Sequence, residues 1–228
     1  MKQFIYVANW KMYFSFNQAK HWLESQQQKL ALLAHPIILC PSYDILSFAA
    51  QLAKQYNFSI GAQDCSEYTN GAYTGQVCAQ SLANIGCTYC IIGHSEQRRY
   101  LTNAVINHKL EQLAHNNITP ILCISEPSEE QLEPVLQFRT QFPSRKLIIA
   151  YEPPTSIGSG IVASKETITR AIKQIKTHIP QDNTLKILYG GSVSPENISI
   201  LKSIENLDGF LIGSASTRIE QLKIIIGA

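Results

Sequence analysis

The chain has 228 residues, 45% of them hydrophobic and 16% charged, with a formal net charge of +2; this is the composition of an ordinary globular protein and excludes a disordered or fibrous one. No run of basic residues exceeds two, so the clustered positive face that nucleic acid or an anionic membrane surface calls for is missing. No apolar run approaches the roughly 18 residues of a membrane span, and Met1-Lys2-Gln3-Phe4-Ile5 lacks a signal-peptide layout, so the chain is expected to stay in the cytoplasm, where it is made.

Taken in order, a short apolar run at 4–8 precedes Asn9-Trp10-Lys11, and apolar positions Ala19, Trp22, Leu23, Leu30 and Leu33 predict a surface helix over 17–33. The strand-then-helix unit repeats: a strand at 37–40 with a helix at 45–56, then a strand at 58–62, a long polar segment at 63–76 and a short helix at 78–85. Strands at 89–92 and 118–124 are followed by helices at 104–116 and 128–142, the second bent or shortened by Pro134. A sixth strand at 147–151 ends on Glu152-Pro153-Pro154, where two prolines remove the amide donors that further pairing would need. Its helix starts at Ser164, an N-cap with Glu166 in the first turn, and runs to 179. Strands at 185–189 and 209–212 complete the count, and Ser194-Pro195 reads as N-cap and first residue of the seventh helix. Eight strands alternating with helices, with no linker and no shift in composition, predict an α/β fold with one domain over 1–228, a single (β/α)8 barrel.

Barrel enzymes carry their chemistry in the loops leaving the C-terminal ends of the strands. Collected from those positions, Asn9, Lys11, Gln63, His94, Ser95, Glu96, Glu126, Glu152, Gly190-Gly191-Ser192 and Gly213-Ser214 are expected to surround one mouth. A carboxylate after strand six, an imidazole after strand four and Lys11 suit proton abstraction next to a carbonyl: Glu152 as base, His94 as hydrogen-bond donor to the enediolate oxygen, Lys11 as fixed positive charge. The glycines after strands seven and eight lie where barrels often hold phosphate on backbone N–H groups, which makes a small phosphorylated carbonyl compound the expected substrate class.

Two competing patterns carry less. Residues 158–163 match Gly-x-Gly-x-x-Ala, but a dinucleotide site needs that turn directly after the strand. Cys87-Thr88-Tyr89-Cys90 matches Cys-x-x-Cys with no second pair to complete four ligands, so the six cysteines, at 40, 65, 78, 87, 90 and 123, read as reduced, mostly core residues. Neither a metal nor a cofactor is implied.

Ala-Asn-Trp-Lys-Met at 8–12, Gly-Ala-Gln at 61–63, Asn-Gly-Ala-Tyr-Thr-Gly at 70–75, Gly-His-Ser-Glu at 93–96, Ala-Tyr-Glu-Pro at 150–153, Ile-Gly-Ser-Gly at 157–160, Tyr-Gly-Gly-Ser-Val at 189–193 and Gly-Phe-Leu-Ile-Gly at 209–213 form one ordered set. In that order, and at strand ends, the set resembles the triosephosphate isomerase family, whose (β/α)8 fold is the TIM barrel. The resemblance implies interconversion of dihydroxyacetone phosphate and glyceraldehyde 3-phosphate, a step of glycolysis and gluconeogenesis, without a cofactor. It makes Glu152 the proton acceptor, His94 the electrophile, Asn9 and Lys11 substrate contacts, Glu96 a support near Lys11, and Gly158, Ser192, Gly213 and Ser214 phosphate contacts. It further implies a homodimer in which the loop after strand three, about 64–76, enters the neighbouring subunit and brings Thr74 to its site.

This chain departs from the family pattern in several places. Gln97 and Gln76 stand where the family usually has Arg and Glu, so a Gln to Gln contact is expected in place of the family's ion pair across the dimer. Ser214 replaces the second glycine after strand eight, and the segment after strand five is short. Pro154, Thr155, Ser156 and Ile161 replace the family's Val-Trp-Ala and a following Lys, from which altered closure of the lid with intact chemistry is expected. Two other readings stay open at this point: a catalytically silent barrel that binds a phospholigand or a protein, and an isomerase acting on a larger phosphosugar.

Overall fold

The computed structural model describes residues 3–56, 58–156, 160–179 and 184–227. Eight parallel strands close into a barrel in sequence order: β1 (Ile5–Asn9), β2 (Ile37–Cys40), β3 (Ser59–Ala62), β4 (Tyr89–Ile92), β5 (Thr119–Ile124), β6 (Ile148–Tyr151), β7 (Lys186–Tyr189) and β8 (Gly209–Ile212). The seam joins first to last, with Tyr6 opposite Phe210 and Val7 opposite Leu211. Gly209 is required there, because a Cβ at that position would lie 2.0 Å from the carbonyl oxygen of Ile5.

Side-chain alternation along each strand makes two cores. Val7, Ile38, Cys40, Ile91, Ile121, Cys123, Ile148, Ala150, Leu188 and Leu211 fill the barrel interior. Their neighbours, among them Tyr6, Leu39, Ile92, Leu122, Ile149, Ile187 and Phe210, point outward and pack with the helices into a second, larger layer. The described helices are α1 (Phe16–Ala31), α2 (Tyr43–Ala53), α3 (Ala79–Ile85), α4 (Ser95–Arg98), α5 (Asn103–His115), α6 (Glu129–Gln141), α7 (Lys165–His178), α8 (Ile198–Lys202) and α9 (Ile219–Ile226). Among the described residues, no helix is long and apolar enough to cross a membrane.

The predicted elements fall within a few residues of those observed, and the Ser128 and Ser164 hydroxyls cap their helices by accepting from Gln131 N and Thr167 N. Two expectations are corrected. Ser194 does not cap a helix: its carbonyl starts a turn, its N–H bonds to Asn197 Oδ1 at 3.0 Å, and α8 begins only after Asn197. Pro134 does not shorten α6, which runs through it. The proline deprives the carbonyl four residues earlier, Glu130 O, of its helical donor, and Asn103 Nδ2 on α5 fills that vacancy at 2.7 Å. The sequence reading also passed over the one-turn α4, the final helix α9 and two short 3₁₀ turns, Pro154–Ser156 and Ser214–Thr217.

Candidate active site

The same alternation that fills the barrel aims residues into its mouth. On β6, Ile148 and Ala150 face inward, and the next residue of that parity is Glu152. On β1 the parity continues from Val7 to Asn9, and on β8 from Leu211 to Gly213. On β4 it would turn His94 outward, since Ile91 faces the interior and Ile92 the helices. Gly93, at φ +66°, breaks the phase and swings His94 round to the N-cap of α4. Only glycine adopts that backbone readily.

The result is a cavity of about 350 Å³ lined by Asn9, Lys11, His94, Glu152, Ser192, Gly213 and Ser214, with Tyr13, Gly160, Gly190, Gly191 and Gln221 among its other walls. Glu152 is 2% exposed. Its Oε1 lies 3.0 Å from His94 Nε2, and its Oε2 accepts the backbone N–H of Ser95 at 3.1 Å. The other imidazole nitrogen, Nδ1, accepts the backbone N–H of Glu96 at 3.3 Å; the Glu96 carboxylate, 3.5 Å from the same nitrogen, is the more distant contact. An Nδ1 engaged as acceptor puts the proton of a neutral ring on Nε2, where it donates toward Glu152 and the cavity.

Lys11 has φ +47°, in the left-handed region that a residue with a Cβ occupies only when its surroundings hold it there. They do so from both sides: Asn9 Oδ1 accepts the Lys11 N–H at 3.0 Å, and Gln63 Nε2 donates to the Lys11 carbonyl at 2.8 Å while also donating to Cys40 O at 3.0 Å. The ammonium reaches Glu96 Oε1 at 2.8 Å. A Cβ on Gly213 would lie only 3.6 Å from Lys11 Cε, so the lysine stem crosses directly above the start of the loop after β8.

Glycine makes room on the opposite wall. A Cβ on Gly190 would come within 2.8 Å of Glu152 Cγ, and one on Gly191 within 2.1 Å of Tyr189 Oη. The Tyr189 hydroxyl accepts the N–H of Ala163 at 3.0 Å, and the Ser192 hydroxyl donates to Ser156 O at 2.7 Å. Both ends of the described part of the segment after Glu152 are thereby tied to the end of β7. At the floor, burial and then the Glu152 charge push the Cys123 thiol well above its ordinary value, so it stays protonated beside the carboxylate.

Of the predicted site residues, Asn9, Lys11, His94, Glu152, Ser192, Gly213 and Ser214 meet at this cavity, and Glu96 stands behind Lys11. Gly158 lies outside the described residues. Thr74 is exposed on the 64–76 loop, away from this chain's own cavity. Four members of the expected mouth are not on its wall: Glu126 is exposed, Gln63 is spent on the Lys11 carbonyl, Ser95 reaches Glu152 through its N–H, and Glu96 stands behind Lys11. Tyr189 and the Ser95 N–H were not anticipated as contributors. Tyrosine closing an apolar run just before Gly-Gly was the available signal for the first, and a backbone donor leaves none.

A family model described as triosephosphate isomerase matches residues 4–228. The proteins of similar sequence include triosephosphate isomerases from Thermus thermophilus, 34% identical with 99% of this chain and 98% of that protein covered, and from Wolbachia pipientis, 35% identical with 98% and 93% covered. The Mycoplasmopsis pulmonis triosephosphate isomerase is 33% identical, with 96% of this chain and 95% of its own covered. With eight parallel strands closed in order, a buried glutamate and histidine facing one cavity, and a match over nearly its whole length, the chain belongs to the triosephosphate isomerase family of intramolecular aldose–ketose isomerases.

Proposed function

We propose that Glu152 carries the proton in the interconversion of dihydroxyacetone phosphate and glyceraldehyde 3-phosphate. The 3.0 Å approach of Glu152 Oε1 to the His94 Nε2 edge, in a cavity that also holds Lys11, is the observation on which the reading rests. In the free protein the carboxylate is parked on Ser95 N–H and His94. Substrate entering between them takes over the His94 donor with its carbonyl oxygen and leaves Glu152 facing the adjacent carbon. Glu152 removes a proton from that carbon, His94 Nε2–H and the Lys11 ammonium stabilise the enediolate oxygen, a proton passes from the adjacent hydroxyl to that oxygen, and return of the first proton from Glu152 to the former carbonyl carbon completes the isomerisation. Asn9 contributes by holding the Lys11 backbone, and Glu96 by holding its ammonium in place. Backbone N–H groups at Ser192, Gly213 and Ser214 receive the phosphate, with Gly158 assigned to the same role by resemblance. Ser214 serves as well as glycine if only its N–H is used.

The working form is a homodimer in the cytoplasm. Met12, at 92% exposed, and the partly exposed Tyr13, Tyr68 and Tyr73 support it, since they gather large apolar surface on the loops after β1 and β3. The 64–76 loop enters the neighbouring subunit, where Thr74 approaches the cavity and Gln76 meets Gln97. No observation favours a silent barrel, because base, electrophile and lysine are all in place.

A coupled assay with glyceraldehyde 3-phosphate tests the assignment. Glu152→Gln is expected to keep the fold and phospholigand binding while lowering turnover at least about 10³-fold. Turnover near that of the wild type would place the base elsewhere. A wild-type protein that binds phospholigand without turning over would establish the silent reading.

A further inference from the structure

The loop at 64–76 is gripped at its root by an ion pair that the isomerisation does not use. Asp64, two residues beyond β3, receives the Lys109 ammonium on both carboxylate oxygens, at 2.8 and 2.7 Å. Lys109 lies on the inner face of α5 and is 6% exposed, a rare depth for a lysine. Next to it on the helix, His108 Nδ1 stands 3.3 Å from Glu67 Oε2, three residues further along the same loop. From the other flank, the Tyr43 hydroxyl at the start of α2 donates to the Asp64 carbonyl. The root of the loop is therefore held between α2 and α5.

A buried ion pair adds little net stability over well-packed apolar side chains of the same volume, because desolvation consumes most of the attraction. What it provides is position: an ammonium held at that depth is satisfied only while both Asp64 oxygens stand against it, at 2.8 and 2.7 Å. The anchor also sits on a chosen helix. α5 follows the His94–Arg98 segment after a few residues and packs behind β4 and β5, so the element carrying Lys109 is continuous with the one carrying His94.

We propose that Lys109 and Asp64 are a positioning pair that sets the direction in which residues 65–76 leave the barrel, and thereby seats Thr74 against the cavity of a second copy of this chain. This rests on the homodimer reading above. The pair acts through the loop and touches no substrate, so its effect appears in the neighbour's site and not in its own.

Lys109→Met, Lys109→Arg and Asp64→Asn, compared with the wild type, test it. Sedimentation first gives the dimer dissociation constant of each, and kcat and KM are then measured at concentrations where each is fully associated. Lys109→Met and Asp64→Asn are expected to weaken association and to lower kcat of the saturated dimer about tenfold, with KM changed by no more than about twofold. Lys109→Arg, which keeps a cation for the carboxylate, is expected to recover most of that kcat. Folded monomers that no longer associate would equally support the proposal. Wild-type kcat in saturated Lys109→Met and Asp64→Asn dimers of lowered melting temperature would overturn it, as a purely structural pair predicts. Failure of both variants to fold would do the same, making the pair a folding determinant. A wild-type protein that is active as a monomer overturns the homodimer reading itself, and is seen before any variant is made.

Discussion

Glu152 and Gly190 are one unit at the level of single residues. The carboxylate occupies its position because the facing residue just after β7 has no side chain: a methyl group at Gly190 would stand 2.8 Å from Glu152 Cγ and 3.4 Å from its Oε1. Gly190→Ala is expected to displace the carboxylate from Ser95 and His94 without unfolding the barrel, lowering kcat between about 10- and 100-fold. Steady-state kinetics with a parallel circular-dichroism melt checks this, and an unchanged kcat would show that Glu152 has slack. The residues of this site were legible in the sequence because acidic, imidazole and amine groups stood at the ends of apolar runs. What could not be read were contacts of the backbone. The Ser95 N–H on Glu152, the Glu96 N–H on His94 and the left-handed Lys11 depend on how the chain turns after each strand, and no side-chain type announces them.

Among the elements, α5 and α6 show how a local defect is repaired at a distance. Pro134 strips the Glu130 carbonyl of its donor, and Asn103 supplies one while its Oδ1 accepts from Arg98 Nη2 at 2.9 Å. Asn103→Ala removes both bonds and is expected to destabilise the protein by about 1–3 kcal/mol, read from the urea midpoint. No change would mean that water serves that carbonyl as well as the asparagine does. This compensation explains why the shortening expected at Pro134 gives way to a helix that runs through it. The misreading at Ser194 has a different origin: Ser-Pro is a valid start signal, but Asn197 takes the Ser194 N–H and delays the helix by a turn.

α1 and α9 meet through Lys29 and Glu220, 3.1 Å apart at the surface. The Lys29 ammonium, first, and Lys223, next, hold the Glu220 carboxyl below its ordinary value of 4.5. A carboxyl whose value is lower in the folded than in the unfolded state stabilises the fold above the unfolded value and loses that contribution as pH falls through the folded one. Lys29→Met is therefore expected to raise the Glu220 value toward 4.5 and to reduce this group's share of the acid sensitivity, with Lys223 keeping the rest. An NMR titration of the Glu220 side chain decides it, and coincident curves for the two proteins would show that Lys29 has no influence. The pair is exposed, so salt should weaken the difference.

For the whole molecule, alternation of strands and helices was enough to predict the closed barrel, since a parallel sheet needs a crossover between neighbouring strands. Association is a separate matter, because the residues that would meet, Met12, Tyr13, Tyr68, Tyr73, Gln76 and Gln97, are all exposed in the single chain. Sedimentation at micromolar protein is expected to find a dimer. With Gln76 and Gln97 uncharged, its dissociation constant should vary little with salt, whereas an interfacial ion pair would make association weaken as salt rises. A monomer under those conditions would contradict the assembly, and a steep salt dependence would contradict the neutral contact.

The seam between β1 and β8 sets the order of events when the protein is made. Asn9 and Lys11 belong to the first strand and the turn after it, whereas Gly213 and Ser214 follow the last, and the Tyr6 hydroxyl closes the gap by donating to Ile226 O, 220 positions along the chain. At roughly 5–20 residues per second of synthesis, β1 waits for on the order of ten seconds or more with one edge unpaired. During that interval it is an open template for misplaced strands. The complete cavity thus arrives with β8 and not gradually, and a nascent chain stalled before Gly209 would carry Glu152, His94 and Lys11 with neither a closed barrel nor the wall at Gly213 and Ser214 to hold them.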